Sequence, residues 1–216
     1  MRSDVKPRLQ KFYFWSELDI RVSDSVTSIG DTAFGWSGLT SVMIPAGVIS
    51  IGENPYQMCP LVFIDVAQSN SVYSQIDGVL FDTRNKMLVT YPGAREGAYV
   101  IPEGTLHIGD SAFKTCYGLT SVTIPDGVTS IGGLAFSGCS GLTDVIIPDG
   151  VTSMGKFVFT DCPGLTSVTI PASVVDIGDW AFDPFGQITL TVTEGTYAEQ
   201  YAKDNELPYI FITDEP

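Results

Sequence analysis

The sequence predicts a β-rich α/β solenoid: a right-handed coil with short strands on one face and short helical or 3-10 turns on the other. Three observations carry that prediction. Residues Leu119 to Phe182 repeat one phrase three times, LTSVTIPDGVTSIGGLAFSGCSG, LTDVIIPDGVTSMGKFVFTDCPG and LTSVTIPASVVDIGDWAFDPF. The pairs Ile124-Pro125, Ile147-Pro148 and Ile170-Pro171 set a period of 23 residues, and a fixed period of about 20–50 marks stacked repeats. Cys116, Cys139 and Cys162 keep the same phase, each three residues after a Phe.

Within one repeat, alternation places Val122 and Ile124 on one strand face and Ser121 and Thr123 on the other. Pro125 has no N–H to donate and ends the pairing, and Asp126-Gly127 turns the chain. Val128 and Ile131 return to the core. Gly132 reads as a position whose backbone angle is closed to other residues. Ala135-Phe136, Cys139 and Leu142 close the coil in a short helical or 3-10 turn.

The rest of the chain follows from that unit, and all 216 residues read as a single repeat domain. Residues 1–38 are an N-terminal cap and partial repeat. The aromatic cluster Phe12 to Trp15 covers the open end of the core, and Leu18, Ile20 and Val22 alternate as a strand does. Residues 39–66 hold repeats, with Pro55-Tyr56 where Ala-Phe is expected and a further strand at Leu61–Val66. The next Ile-Pro pair, Ile101-Pro102, comes 57 residues after Ile44, one repeat and 34 more. Residues 67–100 are therefore an insertion. Val79-Leu80-Phe81 and Met87-Leu88-Val89 flank turn-forming Asp82 to Lys86, which predicts a hairpin, and Tyr91-Pro92-Gly93 turns the chain back.

Residues 101–185 are regular repeats, and residues 186–216 form a C-terminal cap. That cap predicts a strand at Ile188–Val192 and a helix opened by Thr196 with Glu199 in a capping box. Tyr197 with Tyr201, and Ala198 with Ala202, make an apolar helix face. Asn205 and Pro208 stop the helix before a last strand at Tyr209–Ile212.

Composition excludes several functions. A formal charge of −14 opposes nucleic acid and anionic membrane surfaces, which demand clustered Lys and Arg. No apolar run approaches the 18 or more residues that span a bilayer. The N-terminal MRSDVKPRLQ and the short KFYFW lack the apolar centre of a signal peptide, so the chain reads as cytoplasmic or as one whose export signal has been removed. The four cysteines (Cys59 also follows Tyr56 by three) form no C-x-x-C pairs. They read as a column of buried thiols.

Two stretches mimic catalytic motifs. Gly150 to Phe157 resembles a phosphate-binding loop, but Phe157 stands where a hydroxyl must meet Mg²⁺. The period itself explains its glycines. Gly109-Asp110-Ser111 resembles an esterase nucleophile, yet Gly30-Asp31-Thr32 and Gly178-Asp179-Trp180 are the same repeat position. His107, the sole histidine, aligns with Ser130 at a variable surface position and is no base for Ser111. Aspartates such as Asp126, Asp149 and Asp161 are scattered through turns without a calcium-loop spacing. No catalytic residue, metal or cofactor is expected.

The strand surface facing away from the core is the candidate site, because stacked strands about 4.8 Å apart make an extended binding face. Its outward positions are Asp19 and Arg21, Ser41 and Met43, Phe63 and Asp65, Ser121 and Thr123, Asp144 and Ile146, and Ser167 and Thr169. From these the ligand-binding face is drawn as Arg21, Met43, Phe63, Asp65, Thr123, Asp144, Ile146 and Thr169. Met43, Phe63 and Ile146 are its apolar anchors, and the irregular residues 61–100 are the place for specificity.

The phrase Leu-Thr-Ser-Val-x-Ile-Pro-x-x-Val-x-x-Ile-Gly-x-x-Ala-Phe-x-x-Cys resembles the BspA-like, or Treponema pallidum type, class of leucine-rich repeats across nearly all of residues 18–212. Asp77-Gly78-Val79-Leu80-Phe81 with Tyr91-Pro92 is similar to that family's hairpin insertion, and Tyr197 to Ala202 to its C-terminal cap. The resemblance implies a curved solenoid on an exported bacterial surface protein. It implies adhesion, by binding a protein or glycan such as a host matrix or cell-surface molecule. A spacer that presents another domain is the alternative.

Overall fold

The structure, a computed structural model, describes residues 20–183 and 188–212. The aromatic cluster at Phe12 to Trp15, Leu18 and Asp19 lie outside the described residues, as does the side chain of Arg21. The first coils hold β1 (Ile20–Arg21), β2 (Ser28–Ile29), β3 (Ser41–Ile44), β4 (Ser50–Ile51) and β5 (Phe63–Val66). An antiparallel meander follows, made of β6 (Tyr73–Ile76), β7 (Val79–Asp82) and β8 (Met87–Thr90).

Coiling resumes with β9 (Gly97–Val100), β10 (His107–Ile108), β11 (Leu119–Thr123) and β12 (Ser130–Ile131). It continues through β13 (Asp144–Ile146), β14 (Ser153–Met154), β15 (Ser167–Ile170) and β16 (Asp176–Ile177). β17 (Thr189–Val192), α1 (Tyr197–Asp204) and β18 (Tyr209–Phe211) end the described chain.

Repetition of sequence becomes repetition of register. One side of the coil pairs in parallel as β1-β3-β5, β9-β11 and β13-β15-β17-β18, and the next side as β2-β4 and β8-β10-β12-β14-β16. Equivalent residues face each other, as Val42 does Ile64 and Ile131 does Met154, with one register shift in the β9–β11 pair between Leu119 and Ser121.

The third side of each coil is a turn rather than a helix. It is closed by hydrogen bonds such as Cys139 N to Phe136 O, 3.1 Å, and joined to the next coil by bonds such as Phe136 N to Val158 O, 3.0 Å. The physical reason is a left-handed residue two places before the aromatic, at Thr32, Asn54, Ser111, Leu134, Phe157 and Trp180. One such residue interrupts a right-handed helix.

Gly132 corrects the expectation made for it. Its backbone is not left-handed; Leu134, two residues on, is. Gly132 is there because a Cβ would lie 2.5 Å from Asp110 N of the preceding coil. Close stacking of backbones, rather than backbone freedom, selects the Ile-Gly pair.

Rings run down the core. Phe113, Phe136, Phe159 and Phe182 stack at centroid spacings of 4.9, 5.3 and 5.6 Å with planes within 15° of parallel. Tyr56 takes the Phe place and stacks on Phe34 at 5.6 Å. Tyr91 takes it too, 5.1 Å from Phe113. Burying such a ring is worth about 3–5 kcal/mol against alanine.

Tyr91 alters the measure of the insertion. Val66 pairs with Ile44, Val100 with Thr123, and Leu88 with Ile108, so β8, Tyr91 and β9 already form one ordinary coil. Val66 and Ile101 are 35 residues apart, about twelve more than a coil requires. That excess sits in β6 and β7, joined through Asp77 and Gly78, both left-handed.

The apolar interior is divided in two. Residues from Val22 to Leu80 make one core, and residues from Val79 to Leu207 the other. β7 stands between them with Leu80 in the first, Val79 and Phe81 in the second, and all four of its residues buried. Asn70 ties the meander to the coil: Nδ2 donates to Pro45 O (2.8 Å) and Val48 O (3.0 Å), and Oδ1 accepts from the Val72 and Tyr73 amides.

Candidate binding surface

Strand alternation places the outward residues in two rows. One starts at Met43, whose backbone register partner is Arg21, and Asp65, resumes at Val100 and Thr123, passes Ile146 at the equivalent place, and continues through Thr169, Thr191 and Ile210. The other holds Ser41 and Phe63, then Ala98 and Ser121, then Asp144, Ser167 and Thr189.

The candidate residues from Met43 to Thr169 thus share one face, but they are unequal. Ile146 is 67% exposed and Met43 38%. Phe63, also exposed, lies against the meander turn, where a Cβ on Gly78 would fall 2.4 Å from its ring. Asp65 accepts from the Val66 amide, 2.8 Å, and Asp144 from the Thr143 hydroxyl, 2.8 Å. Thr123 is exposed and Thr169 half-buried.

Sequence reasoning missed Val100, 66% exposed, and Ile210, 57% exposed. Val100 precedes Ile101-Pro102 as Met43 precedes Ile44-Pro45, so the offset alone would have found it. Beside this face, Arg95 lies 5.4 Å from the Tyr91 ring and donates to Asp77 O at 2.6 Å, holding the meander turn to the coil.

The motif mimics dissolve into the coil. Lys156 bridges to Asp179 at 2.6 Å, and that hydrogen bond raises its pKa. Ser111 donates to Glu53 at 3.0 Å across coils. His107 bonds Ser130 at 2.8 Å, the residue it aligns with. All four cysteines are buried and free, and burial pushes Cys162 up to about 12. Among the described residues no His, Cys, Asp and Glu group is placed to hold a metal, and no helix is long and apolar enough to cross a membrane.

Stacked coils with a strand-lined face and an inserted meander define a leucine-rich repeat protein. The chain belongs to the BspA type leucine rich repeat region family, matching six copies over residues 10–87 and 99–202. It is similar to the crystal structure of a leucine-rich repeat protein from Eubacterium ventriosum, at 28% identity and a TM-score of 0.75, covering 81% of this chain and 47% of that one. A leucine rich cell surface protein from Faecalibacterium prausnitzii is 32% identical with a TM-score of 0.64, over 83% of this chain and 54% of the other. The pneumococcal vaccine antigen PcpA shares the fold at 20% identity and a TM-score of 0.60, over 92% and 68%. This chain spans about half the length of the first two solved relatives. No curated protein matches it.

Proposed function

We propose that the chain is a non-enzymatic binding module of a bacterial cell-surface or secreted protein, which holds a protein or glycan ligand against its outward strand face and acts in adhesion or host interaction. One observation carries this reading. Val100, Ile146 and Ile210 are apolar side chains more than half exposed on a single strand face, among Ser and Thr neighbours. Nothing in the coil needs them uncovered, and exposed apolar groups in a polar field serve as interface anchors. Location rests on the Faecalibacterium relative, described as a cell surface protein.

The test is a binding screen of the purified chain against host matrix proteins, mucins and glycans, repeated with Val100→Asp, Ile146→Asp and Met43→Asp. A cognate ligand should bind at least about tenfold more weakly to the Ile146 variant, as expected for a buried anchor. Binding unchanged in all three variants would move the site off this face. No ligand from any class would favour a spacer that presents another domain.

A further inference from the structure

The left-handed place two residues before six of the core aromatics carries a second message. Its backbone angle recurs whatever residue occupies it: Thr32, Asn54, Ser111 and Leu134, then Phe157 and Trp180, both at φ 58°. Asn tolerates that angle, whereas a bulky side chain is an outlier there. The core does not explain the last two, because Phe157 is 40% and Trp180 56% exposed. Neither backbone nor packing selects a tryptophan at 180.

Trp180 opens onto a cleft of about 370 Å³ between the last regular coil and α1. Tyr197, Gln200, Tyr201 and Asp204 line it from one helix face, with Ile177 and Asp179 opposite. Tyr197 was expected on the apolar helix face beside Tyr201. It is instead 44% exposed, while Tyr201 is buried and donates to Gly178 O at 3.4 Å. Two exposed aromatic rings therefore line one small concavity.

Its charge is negative. Asp179 already bridges Lys156, but Asp204 accepts only from Gln200 Nε2, 2.7 Å, and has no basic partner among the described residues. Asp204 is also the last residue of α1, where the helix dipole is negative and a positive charge is favoured. The helix's own late cation, Lys203, bridges Glu199 instead.

We propose that this cleft binds an organic cation, an alkylammonium or guanidinium group. The cation lies on the faces of Trp180 and Tyr197, with Asp204 as counter-charge. Aromatic faces attract such cations through the ring quadrupole, tryptophan most strongly. The site lies apart from the outward strand face and does not depend on that face binding anything.

The experiment titrates the purified chain with tetramethylammonium chloride and with acetyl-arginine amide, followed by tryptophan fluorescence and by NMR. Sodium chloride at equal ionic strength and tert-butyl alcohol, a neutral body of similar shape, are the controls. At least one charged probe should bind saturably in the millimolar range and the alcohol should not. Their ratio tells a methylated ammonium site from a guanidinium site.

Trp180→Asn keeps a residue suited to the left-handed angle. This variant and Asp204→Asn should each weaken binding roughly three- to thirtyfold, the range of a desolvated cation–π contact. Ile146→Asp should leave it unchanged. If Trp180→Asn fails to fold, Asp204→Asn and Tyr197→Ala carry the test. Equal binding of the alcohol, no saturable binding of either cation, or affinities unmoved by the variants would overturn the proposal.

Discussion

The thiol of Cys139 donates to the carbonyl of Phe113, one coil back, at 3.1 Å. Cys162 does the same to Phe136 at 3.1 Å, and Cys59 to Phe34 at 2.9 Å. Hydrogen bonding to Cys116 and burial push Cys139 up, and burial pushes Cys162 up to about 12. The thiolate is the nucleophile, so at pH 8 these two thiols should be inert to a chromogenic disulfide in the folded chain. All four should react at once in denaturant. Rapid native-state labelling of Cys139 would show that the column is not closed.

The glycines that follow Ile131, Met154 and Ile177 should tolerate no side chain. A Cβ on Gly155 would fall 2.4 Å from Gly133 N, backbone that has nowhere to go, whereas one on Gly127 would meet Thr105 O at an ordinary 3.5 Å. Gly155→Ala should cost about 1–3 kcal/mol or more as overpacking, and Gly127→Ala close to nothing. Paired thermal melts decide it, and equal melting temperatures would refute the close-stacking account.

The Asn70 side chain makes four hydrogen bonds, two as donor and two as acceptor. Asn70→Asp keeps the shape but removes both donors, leaving the Pro45 and Val48 carbonyls facing a carboxylate. A loss of about 2–4 kcal/mol is expected, since orphaned buried groups cost about 1–3 kcal/mol each. Urea denaturation measures it. A variant as stable as wild type would mean that water replaces the amide.

Glu199 is held below the ordinary carboxylate range by its hydrogen bond from Lys203 and then by the Gly195 amide. A carboxyl whose folded pKa is depressed adds stability above its unfolded pKa and loses it as pH falls through the folded one. The melting temperature should therefore hold at neutral pH and decline as acid takes this group below the unfolded carboxylate range. Glu199→Gln should flatten that limb; an identical acid slope in the variant would assign the effect to other carboxylates.

Much of the fold was legible because it is periodic. The 23-residue phase placed β11, β13, β15 and the buried thiols, though not the two-residue strands β12, β14 and β16, and Thr196 with Glu199 located the N-cap of α1. What escaped was where tertiary contact overrides local spacing. Tyr91 belongs to the ring stack, but the extra residues of β6 and β7 hide its phase. Gly132 looked like a matter of backbone freedom, because a neighbouring coil is invisible in one dimension. On the candidate face, Val100 was readable by its offset from Ile101-Pro102. The outward turn of Tyr197 was not, since helical spacing alone pairs it with Tyr201.

The partition at β7 bears on how the chain yields to force. Each coil grips only its neighbours, so tension between the ends parts the molecule where its packing is divided. Leu80 belongs to one interior and Val79 and Phe81 to the other, so the coils from Val22 to Leu80 can come away while the second interior stays shut. Single-molecule pulling should record two populations of rupture lengths, the shorter matching that first stretch. A single all-or-none rupture would mean that β7 welds the halves together.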